Sequence, residues 1–190
     1  VIFTRTVTTA VYGEYRFYMS ILFTLSLFSL PGISSAIIRS VARKHSRSFL
    51  DGTRTILKFS LLGSAAFLII AAYFYLTGRH YLILYFLFTA ALFPLLYSFK
   101  TYSPFLMGKE EYKKQAKYYT FQLILMNSLF LLAIILSKNL TIIILAYLVA
   151  TSFSNILMYH LVKKQYQKEI KKSKKDYDLS KYGIHLSLIE

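Results

Sequence analysis

Residues 81–117 read YLILYFLFTAALFPLLYSFKTYSPFLMGKEEYKKQAK. The first nineteen, Tyr81–Phe99, carry no charge, and a helix of that length rises roughly 30 Å, the thickness of a hydrocarbon layer. The rest holds Lys100, Lys109, Lys113, Lys114 and Lys117. The same alternation extends along the chain. Further apolar runs span Phe17–Ile38, Ile56–Thr77, Tyr118–Ser137 and Leu140–Leu161. Between them, Arg39–Lys58 is rich in base, the next gap has only Arg79, the fourth has only Lys138, and 163–181 holds eight lysines. Basic residues collect on the cytoplasmic side of membrane helices. Five runs in register therefore predict an all-α polytopic membrane bundle, with Arg39–Lys58, Gly108–Lys117 and Lys163–Lys181 cytoplasmic.

Composition agrees. Hydrophobic residues make up 56% of the 190, and the mean hydropathy is +0.48. A formal net charge of +15 would ordinarily raise nucleic acid as a partner. Here all but four of the 23 Lys and Arg fall on the predicted inner side, where anionic headgroups account for them; no nucleic-acid partner is expected. With no cysteine, disulfides, thiolate catalysis and Cys metal sites are excluded. With no tryptophan, the interfacial aromatic role passes to tyrosines near the run ends, such as Tyr73, Tyr75, Tyr118 and Tyr159.

The runs set a provisional organisation. Residues 1–162 form one membrane lobe, with helices over about 17–38, 56–77, 81–106, 118–137 and 140–161. Residues 163–178 form a basic cytoplasmic linker, and 179–190 open another membrane helix. Val1–Tyr15 reads as the tail of a helix and a turn around Thr8, Thr9 and Gly13, so the chain reads as a segment of a longer protein holding five complete spans and the ends of two others. Pro31-Gly32 predicts a kink near Phe28–Pro31. Ser60, Gly63 and Ser64 mark a close helix contact.

Two stretches go further: Tyr12-Gly13-Glu14-Tyr15 followed by a span ending Leu30-Pro31-Gly32 and then Arg39, and Leu106-Met107-Gly108-Lys109-Glu110-Glu111-Tyr112 entering an apolar run. Together they resemble the polysaccharide flippases of the multidrug/oligosaccharidyl-lipid/polysaccharide exporter superfamily. In that family a Y-G-x-Y turn follows the first helix, the second ends in a P-G pair and an arginine, and a G-x-x-x-[FY] loop joins helices four and five. Lys181-Tyr182-Gly183-Ile184 is similar to the opening of its seventh helix, although His185 stands where the family usually has proline. The resemblance implies helices two to six of a two-lobed transporter in the cell membrane, with a cavity between the lobes. It implies flipping of a polyprenyl-diphosphate-linked oligosaccharide by alternating access, with membrane lipids and glycan polymerase or glycosyltransferase machinery as partners and no cofactor. The alternatives are a drug or lipid exporter of the same superfamily and a non-transporting membrane scaffold. A glycan polymerase or transferase would need longer outer loops than these.

The side chains themselves argue against an enzyme. No acid lies within the five runs, and the four histidines lack metal-ligand spacing. The candidate substrate-binding residues are cations near the inner ends of spans, Arg39, Arg43 and Lys100, with Asn127 and Asn155 for sugar hydroxyls. Gln122 and the Tyr147, Thr151, Ser154, Asn155, Met158 stripe serve packing or the same sugar path. Pro31, Gly32 and Pro94 are candidate hinges. Glu190, eleven residues past Leu179 and about 16 Å along a helix, is the candidate ion-coupling carboxylate, because an acid at that depth is expensive.

Overall fold

The computed structural model describes residues 8–137 and 139–189. Among these the chain is helical with no strand: α1 Thr9–Leu25, α2 Gly32–Ala42, α3 Ser48–Leu76, α4 His80–Ser98, α5 Tyr102–Gly108, α6 Tyr112–Leu136, α7 Leu140–Gln165, α8 Gln167–Lys172 and α9 Leu179–Ser187. Short 3-10 turns, Ser26–Ser29 and Phe99–Thr101, precede α2 and α5. Four stretches, Ser48–Leu76, Leu82–Gly108, Tyr112–Leu136 and Leu140–Gln165, are long and apolar enough to cross a bilayer, and Val11–Ser29 with Gly32–Ala42, bent by 41° at the break, are together long and apolar enough for a fifth. This is an all-α polytopic membrane bundle. Lys138 and Glu190 lie outside the described residues, as do residues 1–7.

The bend follows from three neighbouring residues. The 3-10 turn ends at Leu30, which takes a left-handed φ of 53°. Pro31 follows with φ −56°, pre-set for the first turn of a helix whose amide would be unpaired anyway. Leucine in the left-handed region costs on the order of 1 kcal/mol; Leu30 is held there by burial in the core. The predicted turn at Thr8–Gly13 does not form. Thr8 caps α1 instead, its hydroxyl oxygen accepting from the Val11 amide at 3.4 Å. Gly13 then lies inside the helix, where its penalty of about 1 kcal/mol is spread over 17 residues.

Packing divides the bundle into two cores stacked along its length. One joins Ile33, Ile37 and Val41 of α2 to Phe49 and Ile56 of α3, Phe105 and Leu106 of α5, Met158 and Val162 of α7, Ile170 and Leu179. The other joins Tyr18 and Leu22 of α1 to Phe67 and Phe74 of α3, Phe86 and Phe93 of α4, and Ile144 and Leu148 of α7. Of the helices, α3 and α7 supply buried residues to both, while the crossings made by α1–α2 and α4–α5 are each broken between them. Lipid tails are as apolar as leucine, so close packing and polar bonds hold such helices together. At Gly63, facing α4, an added Cβ would stand 2.3 Å from Phe93 Cε1. Between α1 and α4, the Tyr18 and Thr89 hydroxyls bond at 2.7 Å.

The lysine-rich connector is docked rather than free. α7 stops at Gln165, and α8 turns Ile170 into the core at 3% exposure. Glu169 accepts from Ser46 and pairs with Lys109. Glu111 pairs with Lys114 at 2.5 Å and accepts from the Tyr166 hydroxyl. For both carboxyls burial alone would raise the pKa, but the hydrogen bonds from these partners outweigh it and hold each below the ordinary carboxylate range. A depressed carboxylate stabilises the fold above its unfolded pKa, and that stabilisation is lost as pH falls through the lowered value.

Candidate anion-binding site at the basic end

α9 runs antiparallel to α2, and three contacts fix its register. At the first, the helices all but touch. A Cβ on Gly32 would stand 2.5 Å from Ser187 N and 2.8 Å from Gly183 O, and one on Gly183 would stand 2.4 Å from Ile33 Cδ1. Ser187 seals this crossing: its hydroxyl accepts from the Gly32 amide at 3.0 Å and donates to Gly183 O at 2.8 Å. Gly32 is a first-turn amide with no partner inside its own helix, so α9 supplies it. Second, Ser40 donates to Asp176 Oδ2 at 2.5 Å. Third, the Thr55 and Ser180 hydroxyls bond at 3.0 Å, tying α9 to α3.

Between α2 and α9 lies a cavity of about 630 Å³, within the ~300–1,000 Å³ usual for ligand sites. Arg39, Arg43, Lys181 and His185 line it, against Asp176 and Asp178. Asp176 is already engaged, one oxygen by Ser40 and the other by the Asp178 amide at 3.1 Å. Among the described residues no carboxylate stands within ion-pair distance of Arg39 or Arg43. The cavity thus carries unneutralised positive charge. Ala36, Leu179, Ile184 and Leu188 supply apolar wall, beside Ser40 and Tyr182.

A second, smaller cavity of about 250 Å³ holds Lys100 with Tyr97, Tyr119, Tyr147, Gln122 and Asn155. Its floor is a buried relay. Tyr102 donates to Gln122, Gln122 Nε2 donates to Asn155 Oδ1 at 2.6 Å, and Asn155 Nδ2 donates to Leu96 O at 2.8 Å. Leu96 O lies in the last turn of α4, where the 3-10 turn Phe99–Thr101 follows and a carbonyl lacks its usual helical partner.

The structure therefore gathers Arg39 with Arg43, and Lys100 with Asn155. Asn127 joins neither cavity: it is exposed and donates to Leu123 O at 2.7 Å on its own helix. Pro94 is buried within α4, five residues ahead of the break. Lys181, Tyr182 and His185 were not expected at the site. The glycine beside Tyr182 was their signal, since a glycine within a helix opening can mark a close approach.

Helices of bilayer length around polar cavities define a multi-pass membrane protein. A family model described as polysaccharide biosynthesis protein matches residues 1–189, and the chain belongs to that family. The membership bears out the flippase resemblance read from Tyr12–Arg39, Leu106–Tyr112 and Lys181–Ile184. The function lies in polysaccharide biosynthesis and export at a membrane, and the family's members are transporters rather than enzymes. No curated protein and no solved structure matches the chain.

Proposed function

We propose that the protein flips a polyprenyl-diphosphate-linked oligosaccharide across the cell membrane by alternating access, with its basic end cytoplasmic. The observation that carries this is the α2–α9 cavity, which combines unpaired arginines with apolar walls. A diphosphate on a lipid needs both. Arginine suits it because the guanidinium fork matches phosphate oxygens bidentately. The Lys100 cavity, with tyrosine faces and side-chain amides, suits the sugar that follows. Movement then bends the broken crossings at Pro31-Gly32 and beyond Pro94. Glu190 would couple that motion to a proton or Na⁺ gradient.

Two experiments follow. Thr77 and Tyr177 are exposed at opposite ends of the bundle, and the chain has no native cysteine. In intact cells an impermeant thiol reagent should label Thr77→Cys and spare Tyr177→Cys; the reverse pattern would invert the orientation. For transport, Lys100→Ala should reduce surface glycan to the level of cells lacking the protein, at normal membrane abundance. Lys100→Arg should keep part of the activity because the charge survives. Full export by the alanine variant would leave Lys100 as a lysine snorkelling to the headgroups.

A further inference from the structure

The guanidinium of Arg39 lies over the ring of Tyr182, Cζ to centroid 4.4 Å, well inside the ~6 Å reach of a cation–π contact. This contact crosses from α2 to α9 within the cavity that both residues line. It is set by the register described above. Tyr182 precedes Gly183, which is pressed against Ile33. Arg39 lies two turns along α2 from Gly32, on the same face. Tyr182 is itself half-buried and packed against the core, so its ring is a fixed platform rather than a mobile side chain.

We infer that Tyr182 is a positioning residue: its ring holds the Arg39 guanidinium flat so that the N–H edge faces the α2–α9 cavity to receive a diphosphate. The inference rests on the reading of that cavity as the diphosphate site. The geometry distinguishes two uses of one cation. Stacking occupies the face of the guanidinium, while its five N–H donors lie in its plane. An arginine held by a carboxylate would have spent those donors, and Arg39 has no such partner among the described residues. Stacking therefore removes much of the arginine's rotamer freedom before the ligand arrives and leaves its hydrogen-bonding capacity intact, which is how preorganisation adds affinity. Lysine could not replace Arg39 here, because its ammonium has no planar edge to present.

The test uses the full chain in nanodiscs with inorganic pyrophosphate as the probe, read by calorimetry. Tyr182→Leu should weaken binding about three- to tenfold, the loss of one cation–π contact, and Tyr182→Phe should restore most of it, since the ring face is kept. In an Arg39→Ala background, Tyr182→Leu should have little further effect. Wild-type binding with no loss in Tyr182→Leu would overturn the positioning role and leave the cavity's assignment standing. So would an equal loss in Tyr182→Phe, or an undiminished loss without Arg39, which would mark a purely structural tyrosine. Absence of pyrophosphate binding to the wild type would overturn the diphosphate reading itself. Glycerol 3-phosphate, standing for a phospholipid headgroup, should bind more weakly; equal binding would make this a lipid-headgroup site.

Discussion

Replacing Gly32 with valine separates α9 from α2. The atoms that a side chain at Gly32 would meet first are backbone, Ser187 N at 2.5 Å and Gly183 O at 2.8 Å, with Leu186 Cβ at 2.7 Å between them. A flexible neighbour can swing aside, but a helix backbone cannot without moving the helix. Overpacking a tight contact costs about 1–3 kcal/mol, and backbone opposition places this one at the upper end. The Gly32 amide also loses its acceptor on Ser187. In the absence of native cysteines, Thr55→Cys with Ser180→Cys reports the docking, because the parent hydroxyls are 3.0 Å apart. Oxidation should close this pair readily in a Gly32 background and poorly with valine at 32. Equal yields would show that α9 seats without the glycine contact. Because Tyr182 and Lys181 leave with α9, pyrophosphate binding should fall in parallel.

The presence of long apolar helices was legible because membrane physics writes them locally, but their bounds were read less well: helices begin at Thr9, Ser48 and Tyr112, ahead of runs read from Phe17, Ile56 and Tyr118. Each apolar run is about one bilayer thickness long, and the charge of each gap can be counted without knowing the fold. The break at Pro31 was legible for the same reason: a ring that deletes an amide acts on its own turn. Where the local signal was weaker, the reading failed. Thr8 and Gly13 suggested a turn, but the cap from Thr8 and the length of α1 carry the helix through Gly13. The segment Ser48–Thr55 was read as part of the basic inner gap ahead of the run that starts at Ile56. It joins the following span in a single 29-residue α3, because Ser48, Phe49, Gly52, Thr53 and Ile56 keep one buried face across the boundary.

The polar residues show what requires three dimensions. Gln122 and Asn127 are five apart, about 140° around a helix, and only one of them can face inward. The chain puts Gln122 inside because Asn155, 33 residues away on α7, is there to bond it. Nothing near Asn127 in the sequence reveals that its amide will turn back onto Leu123 O. The same holds for Glu169. Amid lysines it reads as part of a solvated run, and its partners Ser46 and Lys109 come from two distant loops. Arg39 and Arg43 were legible as cations near the end of a span. That α9 would fold back to complete their cavity with Lys181, Tyr182 and His185 was not, since it depends on two glycines roughly 150 residues apart.

The most direct measurement is translocation by the purified full-length protein in liposomes, using a polyprenyl-diphosphate-linked oligosaccharide and an enzyme or lectin confined to the far side to detect its arrival. Arg39→Ala combined with Arg43→Ala removes the two unpaired guanidinium groups from the α2–α9 cavity. Each charge-assisted hydrogen-bonding partner is worth about 1.5–3 kcal/mol, so losing both should slow transport roughly 10²-fold or more. Both side chains are exposed, so the fold should survive, as Thr55→Cys/Ser180→Cys crosslinking in the same background can verify. The expected result is wild-type transport that the double substitution abolishes. Transport at the wild-type rate by a correctly folded double variant, or none by the wild type under any imposed ion gradient, would contradict the assignment of this cavity to a lipid-linked glycan.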